Sequence, residues 1–462
     1  MMRRSIVLAV ICAAVAATPV WLRGQVSSAL QTALAPPALT LADLERMALE
    51  HNPTLPQASS EIEAARGRET QAGLLPNPTV GYTGSEISGG PIIRGGEHGL
   101  FVEQTIPLGG KLGLGRRIFN REATQAEALR EVQRQRILTD VRMLYYGALA
   151  AQRRVDVRQR LAALGAEAVT VTRQLFNTGA ADRPDVLTAD IEARQVQMAL
   201  ETAQNDRYRV WHRLAALVGD VSLSPRPLDG SIDTPIPELQ RDAIVREILA
   251  QSPELKATRV AIERAQAALA RARRESVPDL ILRGSGQYNR ELLESNGRPV
   301  GWEAGVDVGF TIPLFNRNQG AVAESRAELG RAEKELSRVQ LMLQSRAADV
   351  FDEYLTNLRN AEIYKNEIVP RAEESYRLYL ARYREMAAAY PQVLVAQRTL
   401  FQVTDEYIHA AESAWMASLL LQGLLLEGGL DAPTRVGETM TTGAGMPMPT
   451  SGGMGAGGTR RQ

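Results

Sequence analysis

Thr105-Ile106-Pro107-Leu108 returns as Thr311-Ile312-Pro313-Leu314, and Pro184-x-Val186-Leu187-x-Ala189 returns as Pro391-x-Val393-Leu394-x-Ala396, about 207 residues downstream. Further upstream, Asn52-Pro53 matches Ser252-Pro253 and Pro76 matches Pro278. A period of this length is far beyond the 20–50 residues of a solenoid unit. It implies a duplicated half-domain whose copies face each other about a pseudo-axis. Each copy reads as helix, two short strands, a very long helix and a return helix. The copies span 39–219 and 240–427. A proline-rich linker, 220–239, joins them. The tail 431–462 is rich in Gly, Thr, Pro and Met without periodicity and is expected to be disordered.

The first copy opens with an expected helix over 39–72. Thr40 or Asp43 caps it, and Leu41, Leu44, Met47 and Ala48 share one face. Leu75-Pro76-Asn77-Pro78 stops it. Strands are expected near 79–88 and 98–107, with a glycine-rich loop (Gly89-Gly90-Pro91, Gly95-Gly96) between them. No proline occurs from Gly115 to Asn177, room for a helix of some 63 residues, on the order of 95 Å at 1.5 Å per residue. A return helix runs from Pro184, at its first position, to Val218. The second copy repeats the order: helix 240–276, strands 279–289 and 301–312, a long helix 320–389, and a helix from Pro391 to about Glu427.

The strands of the second copy are the clearest. Trp302, Ala304, Val306, Val308, Phe310 and Ile312 alternate with Gly301, Glu303, Gly305, Asp307, Gly309 and Thr311. Leu280, Leu282, Gly284, Gly286 and Tyr288 alternate likewise with Ile281, Arg283, Ser285, Gln287 and Asn289. A half-buried soluble strand shares this pattern. The lengths, however, match the roughly 9–11 residues that cross a bilayer at a tilt. On the membrane reading, Trp302, Val306, Val308 and Phe310 face lipid, and Glu303, Asp307 and Arg283 face a water-filled lumen. Four strands cannot close a barrel. Three chains supply twelve, so a C3 homotrimer is expected.

The return helices carry a heptad seam. Val393, Ala396, Leu400, Val403, Tyr407, Ala410, Ala414, Ala417 and Leu421 advance by three and four, all apolar. The first copy has Val186, Ala189, Ala193, Val196, Leu200, Ala203, Arg207, Val210, Leu214 and Leu217, with Arg207 the one charged exception. Such spacing imposes coiled-coil packing. Ordinary packing in a soluble bundle stays open as the alternative.

The chain has 462 residues with 53 Lys+Arg against 53 Asp+Glu, so it lacks the basic surplus of a nucleic-acid binder. Arg3-Arg4, the apolar run Ile6–Val20 and small residues such as Ser27 and Ala29 read as an export signal over 1–29. The cut site stays open, because Pro36 follows Ala33-x-Ala35. A membrane anchor is the alternative, though a run of about 15 is short of the roughly 20 a spanning helix needs. Cys12, the only cysteine, lies inside that signal, so the mature chain is expected to hold no disulfide or thiolate site. The longest later apolar run, Trp415–Leu426, is interrupted by Ser418, Gln422 and Gly423. Membrane insertion therefore requires a closed β-barrel.

These features resemble the TolC-like outer-membrane efflux family over about residues 39–427. The resemblance rests on the duplication, the two strand pairs and the tips Phe176…Pro184-Asp185-Val186-Leu187 and Tyr383…Pro391-Gln392-Val393-Leu394. Three stretches resemble its heavy-metal efflux branch (CzcC/CusC-like). They are Gln104-Thr105-Ile106-Pro107-Leu108-Gly109-Gly110-Lys111 with Arg116, Pro313-Leu314-Phe315-Asn316-Arg317-Asn318-Gln319-Gly320 leading into Ala323 and Arg326, and Gln397-Arg398-Thr399-Leu400-Phe401.

The resemblance implies a mainly α fold: a trimeric twelve-stranded outer-membrane barrel continued by a periplasmic coiled-coil tunnel. It further implies a periplasmic adaptor and an inner-membrane pump of the resistance-nodulation-division type as partners. It places a gate at the helical tips, with Asp185 at an acidic position and Tyr383 as a tip tyrosine that helps hold the gate shut. Asp182, Asp185, Tyr383 and Gln392 are the expected tip residues. The second copy departs from the pattern: Gln392 and Val395 replace frequent carboxylates, Ala388 a latch arginine and Met386 the tip glycine that Gly179 keeps. Asp182 and Asp185, tripled by symmetry, form a cation-attracting ring, or else they cap the next helix.

His51, His98, His212 and His409 have no i, i+4 pairing and make a poor metal site. Met440, Met446, Met448 and Met454 are thioethers suited to Cu(I) or Ag(I), but a tail that merely contains methionine is the simpler reading. No nucleophile motif, phosphate loop or metalloprotease motif occurs, so neither enzyme activity nor a cofactor is expected. The function expected is a passive, gated exit duct of a tripartite efflux system, exporting heavy-metal cations. Drug export or protein secretion through the same duct is one alternative. A periplasmic coiled-coil structural protein without a pore is another.

Overall fold

The computed structural model describes residues 38–87, 96–292 and 297–437. The expected export signal, most of the glycine-rich loop and the methionine tail beyond 437 lie outside the described residues.

Both halves follow one order. The first has α1 (Leu41–His51), α2 (Thr54–Ala72), β1 (Thr79–Ser85), β2 (Glu97–Ile106), α3 (Lys111–Asn177) and α4 (Arg183–Val218). The second has α5 (Arg241–Gln251), α6 (Pro253–Arg274), β3 (Leu280–Leu292), β4 (Pro299–Phe310), α7 (Gln319–Ile363), α8 (Val369–Arg384) and α9 (Tyr390–Gln422). The protein is thus mainly helical with one small antiparallel sheet, ordered β1-β2-β3-β4. Its central pairing, β2 with β3, joins the two halves. Ile106 lies opposite Leu280, which lies opposite Phe310, so the strand ends leading to the long helices share one end of the sheet.

Three expected helices are interrupted. Helices 39–72 and 240–276 each break at the repeated x-Pro dipeptide. Asn52 (ψ 123°) and Ser252 (ψ 118°) are driven out of the helical region by the following proline ring. Asn52 uses the break: its side chain donates to the Leu217 carbonyl at 2.8 Å. Helix 320–389 is interrupted by a π-helical turn at Tyr364–Ile368, just before Pro370. That proline has no N–H and its ring crowds the preceding turn, so the chain accommodates one extra residue there. By contrast α3 runs unbroken for 67 residues.

The heptad seam is the packed face. In α9 every seam position is buried except Val403, which is partly covered, and in α4 the charged Arg207 is solvent-exposed. The linker 220–239 is held closely along its length. Trp211 Nε1 donates to the Leu223 carbonyl at 2.8 Å, Tyr354 Oη to the Pro237 carbonyl at 2.7 Å and Tyr407 Oη to the Asp233 carboxylate at 2.7 Å. Leu39 bridges Leu228 in parallel. Residues 431–437 also differ from the expected disorder. Val436 packs beside Ala128, Leu129 and Ala257, and Arg435 lies 3.5 Å from Glu61.

The turn after α9 is anchored on α3. Asp140 accepts the N–H of Gly428 at 3.1 Å and of Gly429 at 2.7 Å. Gln133 and Thr54 donate to the Gly429 carbonyl at 3.1 Å each. Burial pushes the Asp140 carboxyl up to about 6, the two N–H bonds offset part of this, and the charges of Glu427 and Asp431 add to it. A carboxyl whose folded value lies above its ordinary 3.8 favours the folded state fully below that value, and the benefit is lost as pH rises through about 6. The melting temperature of the wild type relative to Asp140→Asn is therefore expected to rise as pH falls from about 7 to about 4. A difference that stays constant over that range rules out titration of Asp140 as a contributor.

Candidate functional site: hairpin tips and sheet faces

The α3–α4 and α8–α9 tips close in the same way. Ala180 N–H donates to the Leu175 carbonyl at 2.8 Å and Gly179 N–H to Phe176 at 3.0 Å. Ala387 to Arg382 at 2.8 Å and Met386 to Tyr383 at 3.0 Å repeat this in the second half. This closure needs a left-handed residue, which is Gly179 (φ 77°) in one tip and Met386 (φ 59°) in the other. The starts of the return helices differ. Asp185, half-buried, accepts the N–H of the exposed Asp182 at 3.4 Å, so both aspartates take part in capping α4. The N-cap of α9 is Ala389, which has no side-chain cap, and Gln392 is exposed.

Tyr383 is buried, with 5% exposure, and its hydroxyl donates to Thr172 Oγ1 at 3.3 Å. Its ring lies 5.6 Å from that of Tyr390. Burial raises the Tyr383 hydroxyl above its ordinary value, the Thr172 bond opposes this, and the charge of Asp185 adds to it. Asp185 and Tyr383 therefore sit within electrostatic reach of one another. Tyr376 and Tyr390 have buried hydroxyls with no hydrogen-bond partner among the described residues, and burial pushes Tyr376 up to about 12.

Ion pairs tie the two hairpins together: Arg384 with Glu167, Arg398 with Glu192, Arg158 with Asp405, and Arg154 with Glu412 at 2.5 Å. None of these was read from the sequence. The signal for one was available, since Glu192 and Arg398 are separated by nearly the repeat offset.

In the sheet, Trp302, Val306, Val308 and Phe310 share one face with Val80, Tyr82, Leu100 and Val102, all exposed, Trp302 at 79% and Val306 at 81%. An apolar face this open marks a contact surface. Glu303, Asp307 and Arg283 lie on the other face with Glu97 and Glu103. There the Gln287 amide donates to Glu97 at 2.8 Å and to Glu303 at 3.4 Å, and the Asn289 amide donates to Glu97 at 3.0 Å and to Glu303 at 3.4 Å. At the sheet–helix junction the buried Lys111 ammonium donates to Asp279 at 2.8 Å, and Leu108 N–H donates to the same oxygen at 3.2 Å. Gln104 donates to the Pro76 carbonyl at 2.8 Å. Among the described residues no helix is long and apolar enough to cross a membrane.

The family model for outer membrane efflux proteins matches residues 44–220 and 244–425. The cobalt-zinc-cadmium resistance protein CzcC of Cupriavidus metallidurans is 23% identical over 389 residues, covering 84% of this chain and 90% of the relative. The nickel-cobalt-cadmium resistance protein NccC of Alcaligenes xylosoxydans xylosoxydans is 24% identical over 324 residues, covering 68% and 69%. The crystal structure of the outer membrane protein VceC of Vibrio cholerae superposes with a TM-score of 0.68 at 19% identity, covering 85% of this chain and 97% of that one.

Met386, 68% exposed, has few contacts to lose. A left-handed residue with a side chain costs about 1–2 kcal/mol, of which the greater chain freedom of glycine cancels a part. Met386→Gly is expected to stabilise the protein by about 0.5–1 kcal/mol in denaturant unfolding. A loss of stability would show that the methionine side chain holds the tip.

Proposed function

The chain belongs to the outer membrane efflux protein family, a family of channels rather than enzymes, and we propose that it is the exit duct of a tripartite pump exporting heavy-metal cations. The observation that carries the duct is the sheet: four strands with an exposed apolar face, a charged opposite face and two edge strands. Three copies then close a twelve-stranded barrel in the outer membrane, with Trp302, Val306, Val308 and Phe310 toward lipid and Glu303, Asp307 and Arg283 toward the lumen. The bundle of α3, α4, α7, α8 and α9 stands in the periplasm, where the tips meet a periplasmic adaptor and an inner-membrane pump of the resistance-nodulation-division type. The residues 1–29 act as the export signal, and the repeats 39–219 and 240–427 as the two halves of each protomer's wall.

The cation class is supported by the names of the two resistance relatives and by the charge of the lumen-side face. That face carries Glu97, Glu103, Glu303 and Asp307 against Arg283. Transport is passive and gated: docking splays the tips around Asp182, Asp185, Tyr383 and Gln392, and cargo diffuses out.

A strain lacking the gene is expected to lose growth on Co, Zn, Cd or Ni while tolerating drugs and dyes, with the intact gene restoring it. Sensitivity to drugs alone would keep the duct and overturn the metal cargo. At the tip, Asp185→Ala is expected to change single-channel conductance, because it removes a charge and the reciprocal cap of α4 together. Unchanged conductance and ion selectivity would remove Asp185 from the gate.

A further inference from the structure

Arg283 is the one cation on the charged face of the sheet among the described residues. Its cross-strand neighbours are both acidic, Glu103 on β2 and Asp307 on β4. Direct cross-strand pairs bring side chains of opposite charge within reach of one another. Yet Arg283 forms no ion pair with either among the described residues. Its guanidinium instead lies over the ring of Phe101, 4.0 Å from the centroid, and its buried Nε has no hydrogen-bond partner among the described residues. At this separation the ring's negative face holds the cation by cation–π attraction.

The seat for the ring is built into the neighbouring strand. Phe101 lies opposite Gly81, and a Cβ at that position would come within 2.5 Å of the ring. Glycine at 81 therefore lets Phe101 lie flat across the charged face and carry the guanidinium above it. The stack keeps the positive charge from being cancelled by close pairing with Glu103 or Asp307, and fixes it at one level of the sheet. Three residues beyond the start of β3, that level lies toward the end where the helices begin.

We propose that Arg283, held on Phe101, sets how strongly the lumen favours cations over anions, acting as a positive collar within an acidic passage. The proposal rests on the duct reading above. Three copies place three guanidinium groups at one height, where charged rings govern ion selectivity at close range. Cargo is thereby discriminated by charge density, and the collar moderates an attraction that would otherwise retain divalent cations on the carboxylates.

The test is the reversal potential of the full-length protein in planar bilayers under a salt gradient. Arg283→Cys is expected to raise the cation-to-anion permeability ratio by about twofold or more. Adding a thiol-specific trimethylammonium-ethyl reagent to the same channels restores the wild-type ratio, and a sulfonatoethyl reagent raises it further. Cys12, the only native cysteine, lies in the expected export signal, and protein with Cys12 replaced serves as the control. The reagents act on assembled channels, so a change they cause is not a folding defect. A ratio that does not move, with modification at residue 283 confirmed by mass spectrometry, overturns the collar and leaves the duct standing. Inserted wild-type protein that never conducts overturns the duct and the collar together.

Discussion

The sheet has two edges, and the arrangement of the molecule follows from how they are satisfied. β1 and β4 each pair on one side only, so a row of backbone N–H and C=O groups on each outer edge lacks a ladder partner among the described residues. In lipid every such group costs several kcal/mol, and an open sheet edge cannot persist there. The apolar face demands lipid or a protein cover, and the edges demand strands. In the trimer proposed above, other copies of the same chain meet both demands, with β4 of one receiving β1 of the next. The register then fixes the rest. Because Ile106, Leu280 and Phe310 lie side by side, every chain crossing from sheet to helix does so at one end of the sheet. Lys111 and Asp279 lock that crossing. They bind the first residue of α3 to the segment just before β3, so the first half's long helix is anchored to the second half's strand.

Much of this was legible in the sequence because it rests on period and punctuation. The repeat offset located both tips, and strict alternation located β3 and β4. The absence of proline over 115–177 foretold the unbroken α3, whose start the structure moves four residues earlier, to Lys111. The heptad positions of α9 foretold its buried face. What was not legible depends on contacts between distant segments. Asn52-Pro53 and Ser252-Pro253 were recognised as matching pairs, but not as breaks. A break costs intrahelical bonds, and only the structure shows Asn52 donating to Leu217 and Ser252 capping Leu255 in exchange. The π turn before Pro370 escaped because proline's clash can be absorbed by one extra residue rather than by ending the helix. The segment 220–239 looked like a plain linker. The groups that pin it, Trp211, Tyr354 and Tyr407, lie on helices of both halves and carry no local signature. At the tips, the family resemblance pointed to Asp182, Asp185 and Tyr383. Capping of α4 by the aspartates was one of two readings open in the sequence, and the fold supplies it. The burial of the tyrosine against Thr172 emerged only with the fold.

The two halves share a plan but not a stiffness. The first hairpin is one continuous helix, a glycine-closed turn and a return helix with reciprocal capping. In the second, a π turn interrupts the descending helix, the tip holds a methionine in a left-handed conformation, and the return helix starts without a side-chain cap. Each departure removes local stabilisation: a helix interruption shifts the ladder, a left-handed methionine stores strain, and an uncapped N-terminus leaves donors to water. The buried hydroxyls of Tyr376 and Tyr390, unpaired among the described residues, add a desolvation cost in the same region. The ties to the rigid hairpin offset these costs through Arg384 with Glu167 and Arg398 with Glu192, whose partly exposed geometry makes each pair modest and dependent on salt. Stability across a fold is uneven, and elements that move are drawn from its weaker part. Any opening at the tips therefore costs least by displacing the second hairpin against the first, with the π turn taking up the change in direction and the cross-hairpin ion pairs breaking first.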